Sequence, residues 1–239
     1  MSSIQIRNVD QAFGKDKILS DISLSVQKGE LFGFLGPSGS GKTTLVKMLA
    51  GVDAPSSGSV DVLGERMPQL KIMERIGYMA QSDALYPELT AQDNVLFFSA
   101  LYRLSTKQAI ERMHEVMTIV GLTDHMNKLV SNYSGGMKRR LSLAIALMHN
   151  PEILLLDEPT VGIDPILRKS VWKEFRQLAN NGVTIIVTTH VMDEAEKCDR
   201  LGMIRDGKLI ATGTPDDLRQ ATNTASIEEA FLAYGGASK

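Results

Sequence analysis

The chain has 239 residues, 43% hydrophobic and 23% charged, with a formal net charge of −2. That is the size and make-up of one large globular unit, or a core with a lobe, and the charge supplies no general basic field for nucleic acid. The one cysteine, Cys198, rules out an internal disulfide, fits a reducing compartment and reads as a packing residue. The N-terminal stretch has no apolar core of signal-peptide length, and no apolar run approaches the roughly 18 residues of a membrane span. If a membrane is involved, another polypeptide is expected to cross it. The four histidines are scattered, with no Cys/His cluster at zinc spacing.

In chain order, residues 3–35 are predicted to be β-rich. Ile22, Leu24 and Val26 alternate with Ser23 and Ser25, the period of a half-buried strand. The apolar run 31–35 then leads into Gly36-Pro37-Ser38-Gly39-Ser40-Gly41-Lys42-Thr43-Thr44. This stretch satisfies G-x-x-x-x-G-K-[ST], and a helix-period segment follows it from Thr44 to Ala50, ending at Gly51. Strand, glycine loop and helix aim backbone N–H groups and a helix N-terminus at one point, which makes a nucleoside-triphosphate site. Lys42 is expected to reach the β- and γ-phosphates, and the Thr43 hydroxyl to ligate Mg²⁺. The loop implies a nucleotide without fixing the use made of it.

Ser56-Ser57-Gly58 marks a turn into a short strand over residues 59–63, and residues 72–80 are expected to include another. From about residue 82 to 150 the pattern becomes helical. Thr90 with Asp93 reads as a capping pair, and Ser105 with Gln108 as a capping box. Ile110, Met113, Val116, Met117 and Val120 are predicted to form the buried face of the helix after Ser105. A third helix should run from near Gly135 to His149, stopped by Pro151.

Residues 153–156 have the composition of a fully buried strand. Asp164 and Pro165 open a helix as N-cap and first residue, closing at Gly182, and residues 183–188 form another buried strand. Asp206-Gly207 joins a hairpin, Thr214-Pro215 starts a short helix, and Ser226 with Glu229 caps the last one. No repeat, low-complexity segment or linker interrupts the chain, so one compact unit with a helical insertion is expected.

Phosphoryl transfer needs a held metal and an activated water. The segment ILLLDE, residues 153–158, ends a buried strand in Asp157, at the carboxyl edge where open α/β sheets bind ligands. Asp157 is expected to hold Mg²⁺ directly or through water, and Glu158 to serve as general base or water-positioning group.

Upstream lies Tyr133-Ser134-Gly135-Gly136-Met137-Lys138-Arg139-Arg140, a second anion site in which a serine and two glycines open a helix. Together these motifs, over nearly the whole length, resemble the ATP-binding subunit of an ABC transporter. The resemblance implies an α/β fold: a P-loop NTPase core with mixed sheet, an N-terminal antiparallel β-subdomain and an inserted α-helical subdomain. Residues 1–81 and 151–239 would form the core, and about 82–150 the helical part, within a single unit spanning 1–239. It also implies a head-to-tail pair of ATPase subunits, homodimer or heterodimer, in which Ser134, Gly135 and Gly136 of one copy close on the ATP of the other. Phe13 falls where the family places an aromatic ring against adenine. Gln81 resembles the glutamine that contacts Mg²⁺ or water and senses the γ-phosphate, and His190 the histidine that contacts that phosphate. Val161-Gly162-Ile163-Asp164 resembles the segment crossing the dimer interface, with Asp164 equally suited to a simple N-cap. Tyr133 replaces the commoner leucine, Ala80 a frequent proline and Phe13 the more usual tyrosine; none of these removes a phosphate, metal or water contact.

The implied protein hydrolyses ATP with Mg²⁺ on the cytoplasmic face of the cell membrane, driving separate integral membrane subunits, with no nucleic-acid partner. The groove near Gln81 and residues 82–93 is expected to couple to them. The ending SIEEAFLAY and the absence of a large C-terminal regulatory domain look most like the bacterial multidrug or antibiotic-resistance exporter type. Two alternatives predict other behaviour. A soluble ABC-type ATPase would drive a cytosolic assembly or repair machine, and a simple P-loop kinase would phosphorylate a small acceptor. The second anion site and His190 argue against the kinase.

Overall fold

The computed structural model describes residues 2–102 and 104–236, so the expected limits at residues 1 and 239 lie outside the described residues. Its elements run β1 (Ser2–Phe13), β2 (Asp16–Gln27), β3 (Leu31–Leu35), α1 (Lys42–Leu49), β4 (Ser57–Val62), β5 (Glu65–Arg66), α2 (Leu70–Met73) and β6 (Ile76–Met79). Three helices follow, α3 (Ala91–Leu101), α4 (Thr106–Ile119) and α5 (Gly135–Leu147). The chain then returns to alternation with β7 (Ile153–Asp157), α6 (Pro165–Asn180), β8 (Thr184–Thr189), α7 (Met192–Ala195), β9 (Arg200–Arg205) and β10 (Lys208–Gly213), and ends in α8 (Pro215–Thr222) and α9 (Ile227–Tyr234).

Two sheets result. The first is antiparallel with strand order β2-β1-β4-β5; the second is mixed with order β10-β9-β3-β8-β7-β6. In the second sheet β9, β3, β8, β7 and β6 are mutually parallel, and β10 pairs antiparallel with β9. Every residue of β3, β7 and β8 is buried, as interior parallel strands covered on both faces require. Alternate side chains therefore serve different cores. Phe32, Phe34, Ile153, Leu155 and Ile186 pack toward α1 and the antiparallel sheet. Leu31, Leu35, Leu154, Leu156, Ile185 and Val187 pack toward the opposite face, with Met113, Val116, Leu141 and Phe175 of the helices.

The capping expectations hold: Ser105 and Gln108 form a reciprocal capping box, Thr90 caps α3, and Asp164 accepts from the N–H groups of Ile166 and Leu167. Asp206 and Gly207 both have positive φ, 49° and 73°, the turn a two-residue hairpin needs. Three expectations need correction. Ile110 is 42% exposed, and Ala109 takes its place in the buried face of α4. At about 100° per residue, Ile110 falls on the edge of the stripe centred on Met113, Val116 and Met117. β4 starts at Ser57, so Gly58 lies inside the strand and not in the turn before it. A Cβ there would collide with the carbonyl of Asn8 on β1, so glycine allows the close approach of the two strands. Third, α1 starts at Lys42, two residues before the expected start at Thr44.

Candidate functional site

The order β3-β8-β7-β6 sets four chain segments side by side at the carboxyl ends of parallel strands. β3 delivers the glycine loop, β8 delivers His190, β7 delivers Asp157 and Glu158, and β6 delivers Gln81. Crossovers in a parallel sheet return every strand in the same sense, so residues far apart in sequence collect at one edge.

In the loop, Gly41 is the N-cap of α1 with φ 102°, and a Cβ there would lie 2.5 Å from Leu19 Cδ2. Only glycine combines that conformation with that contact. The Lys42 ammonium is folded into the loop and donates to the carbonyls of Gly36 and Pro37 at 2.7 and 2.9 Å. Burial pulls its pKa down, opposed by the charges of Glu158 and Asp157. Ser38, Gly39, Gly41, Lys42, Thr43 and Thr44 line a cavity of about 280 Å³ together with Gln81, Glu158 and Ile18.

Asp157 is fully buried. Its Oδ1 accepts from the Thr188 hydroxyl, and its Oδ2 has no partner among the described residues. The Ser40 hydroxyl, 3% exposed, also lacks one. The orphaned Asp157 oxygen, whose charge is felt at the Lys42 ammonium, fits a divalent cation held beside the glycine loop, whereas the Ser40 hydroxyl is turned toward Gly36 and lines no part of the cavity. Glu158 stands between three neighbours. Gln81 Nε2 donates to its carboxylate at 3.4 Å, His190 Nδ1 lies 3.0 Å from its other oxygen, and its own N–H donates to Thr188 Oγ1 at 3.0 Å.

Ser134, Gly135 and Gly136 open α5, where the Ser134 hydroxyl accepts from the Met137 N–H at 3.2 Å. They line a second cavity of about 490 Å³ with Asp83, Arg139, Val161 and Gly162. Gln81 and Glu158 belong to both cavities, and Lys42 and Ser134 each to one only. Phe13, at the end of β1, lines neither cavity and is 52% exposed. The Asp164 carboxylate is engaged in capping α6. Tyr133 is 5% exposed and donates its hydroxyl to the His125 carbonyl at 2.8 Å, so the residue in place of leucine keeps its polar end satisfied.

A third and larger groove, about 770 Å³, lies at the β6 edge, lined by Leu70, Met73, Tyr78, Leu85, Phe98 and Leu101 among others. Burial pushes the Tyr78 phenol up to about 12. Sequence reasoning missed Ile18, Asp83, Arg139, Thr188, Thr160 and Glu194. Ile18 reads as one more strand residue, Arg139 stands in the Tyr133–Arg140 motif with no role of its own, and the threonines read as ordinary strand and turn residues.

The family described as ABC transporter matches residues 19–161, which span the glycine loop, Gln81, Ser134 and Glu158. The chain is 43% identical over 240 residues to the linearmycin resistance ATP-binding protein of Bacillus subtilis (strain 168), covering 96% of this chain and 77% of that one. It is 42% identical over 239 residues to the Nod factor export ATP-binding protein I of Rhizobium etli, covering 99% and 75%. A probable multidrug ABC transporter ATP-binding protein of Escherichia coli (strain K12) is 41% identical over 236 residues, with 96% of this chain aligned to 41% of that longer one. A solved ATP-binding subunit of an ABC transporter superimposes with TM-score 0.90 over 98% of this chain and 100% of that one, at 24% identity, a likeness of fold. A dimeric ATP-binding cassette in a post-hydrolysis state, bound to ADP and Pi, superimposes with TM-score 0.82 at 28% identity over 88% of this chain and 98% of that one. With that match across its phosphate loop and carboxylate strand, the chain belongs to the ABC transporter family.

Proposed function

We propose that the chain is the ATP-hydrolysing subunit of an exporter, working as a head-to-tail pair of cassettes that drives separate membrane subunits. The observation that carries the reading is the position of Glu158, against Gln81 and His190, in the wall shared by the Lys42 cavity and the Ser134 cavity. Residues 1–81 and 151–239 act as the nucleotide core and about 82–150 as the helical lobe. The loop residues Gly36 to Thr44 bind the triphosphate of ATP through backbone N–H groups, with Lys42 turning from its own carbonyls to the phosphate oxygens. Phe13, exposed beside the hairpin, stacks on the base.

Thr43, Gln81 and Asp157 are the residues to hold Mg²⁺, which would neutralise charge on the β- and γ-phosphates when bound. Glu158 takes the proton of the attacking water, His190 fixes the Glu158 carboxylate and reaches the γ-phosphate, and ADP and phosphate are the products. Ser134, Gly135 and Gly136 contact the nucleotide of the partner copy, with Asp164 and its neighbours at the interface. No described helix is long and apolar enough to cross a membrane, so the membrane subunits supply the passage. They dock in the apolar groove at the β6 edge, holding the pair at the cytoplasmic face. The exporter names carried by the relatives support this reading over a cytosolic assembly or repair ATPase.

Replacing Glu158 by glutamine tests it. The amide keeps the shape and loses the base, so ATP turnover should fall by about 10²–10⁴ while ATP still binds. Gel filtration of Glu158→Gln with saturating ATP should show a dimer. A monomer under those conditions refutes the shared-site arrangement.

A further inference from the structure

We propose that Arg139 is a positioning residue for hydrolysis, holding the backbone of Glu158 and of Gln81 from the helix that begins at Ser134. This rests on the reading of Glu158 as the water-activating group. Arg139 is a buried cation, 6% exposed, in the first turns of α5. Its Nη1 donates to the carbonyls of Ala80 and Gln81 at 2.6 and 2.9 Å. Its Nε and Nη2 donate to the Glu158 carbonyl at 3.3 and 3.0 Å, and Nη2 also to the Asp157 carbonyl. Among the described residues the one carboxylate within 4 Å of it is Asp83, 3.5 Å away, which also accepts from Ser142 on the same helix at 2.8 Å.

A buried arginine that only balanced charge would face carboxylates. Arg139 spends its donors on four main-chain carbonyls, and those belong to the two segments that carry Gln81 and Glu158. Glu158 needs such support, because its φ of 53° lies in the left-handed region. Thr188 holds its N–H side and Arg139 its carbonyl side. The planar guanidinium reaches both segments at once, and an ammonium, with three donors on one atom, does not. Because Arg139 and Ser134 ride on one helix, a displacement of the Ser134 end is carried to Glu158 and Gln81.

The experiment compares the full-length wild type with Arg139→Lys and Arg139→Met. It reads steady-state ATPase rate, ATP affinity, thermal midpoint, and amide hydrogen exchange over residues 80–83 and 157–159 without nucleotide. Arg139→Lys should lower kcat on the order of 10²-fold, the cost of a misplaced reacting group, while the ATP Kd stays within about twofold. Amides of residues 80–83 should exchange at least about tenfold faster. If Arg139→Met fails to fold, the lysine variant, which keeps the charge and the stem, carries the test. In a Gln81→Ala background the same substitution should cost less, because part of its effect runs through Gln81. A kcat for Arg139→Lys within about twofold of wild type overturns the inference, as does full additivity with Gln81→Ala. A wild type without ATPase activity overturns the functional reading and this inference together; an active wild type equalled by Arg139→Lys overturns this inference alone.

Discussion

Glu158 adopts a backbone conformation that costs a non-glycine residue about 1–3 kcal/mol, and hydrogen bonds on both sides of its peptide keep it there. The strain turns its carboxylate out of the strand toward Gln81 and His190 instead of into the sheet. The acid after ILLLD is legible in the sequence; its dihedral is not, since the acceptor that holds its N–H comes from β8 and the donor that holds its carbonyl from α5. His149 is another residue whose chemistry is set by neighbours. It stacks on Tyr102 with ring centroids 3.7 Å apart, and its Nε2 lies 3.1 Å from the Ile76 carbonyl. Burial, aided by the charge of Arg112, pulls its pKa from 6.5 to about 4. Between those values the unfolded chain holds a proton on His149 that the folded chain does not, so stability falls as pH drops from about 6.5 toward 4. Above that window His149 contributes no slope. His149→Phe should therefore lose less stability between pH 7 and pH 5 than wild type, by on the order of 1 kcal/mol. Thermal midpoints at the two pH values read this at about 2–4 °C per kcal/mol, and equal losses would refute it.

Among the elements, those longer than two turns or carrying a cap could be read from the chain alone. Capping joins residues within four positions, so Ser105 with Gln108, and Asp164 with the first amides of α6, need no tertiary contact to be recognised. The two-residue β5 and the four-residue α2 and α7 carry too few residues for any period to show. Yet α7 fastens the site. Glu194, 3% exposed, accepts from the Thr160 hydroxyl after β7 and, at 2.6 Å, from the Thr189 hydroxyl at the end of β8. It thereby clamps the segment after Glu158 to the residue before His190. Glu194→Ala should leave the Thr160 hydroxyl unpaired, at about 1–3 kcal/mol, and strip the Thr189 hydroxyl of its acceptor while it keeps the Val191 N–H. Urea denaturation should show Glu194→Ala clearly less stable than Glu194→Gln, which keeps one acceptor. Equal midpoints would show that the clamp contributes nothing.

At the scale of the whole molecule, Lys42 and Ser134 line different cavities with Gln81 and Glu158 in the wall between them. That division favours two copies arranged head to tail, each supplying the half that the other lacks. Ser134→Arg should then lower turnover by on the order of 10²-fold, because the long cation blocks closure over the partner's nucleotide. ATP affinity measured at monomeric concentration should stay within about twofold, since the residue lies outside the Lys42 cavity. A large loss of monomer affinity would place Ser134 on its own copy's nucleotide and end the shared-site reading.

The sequence by itself determined the glycine loop with its helix, the buried strand ending in Asp157 and Glu158, the serine–glycine helix start and most caps. Each is a pattern of neighbours along the chain, and local sterics, hydrogen bonding and periodicity are enough to specify it. The tertiary structure alone decided that β3, β8, β7 and β6 lie in that order, that Glu158 is wedged into a left-handed backbone, and that Arg139 and Glu194 are buried fasteners and not surface charges. Those outcomes depend on which strands pair and on what each helix covers, and such contacts between distant residues leave no period in the chain.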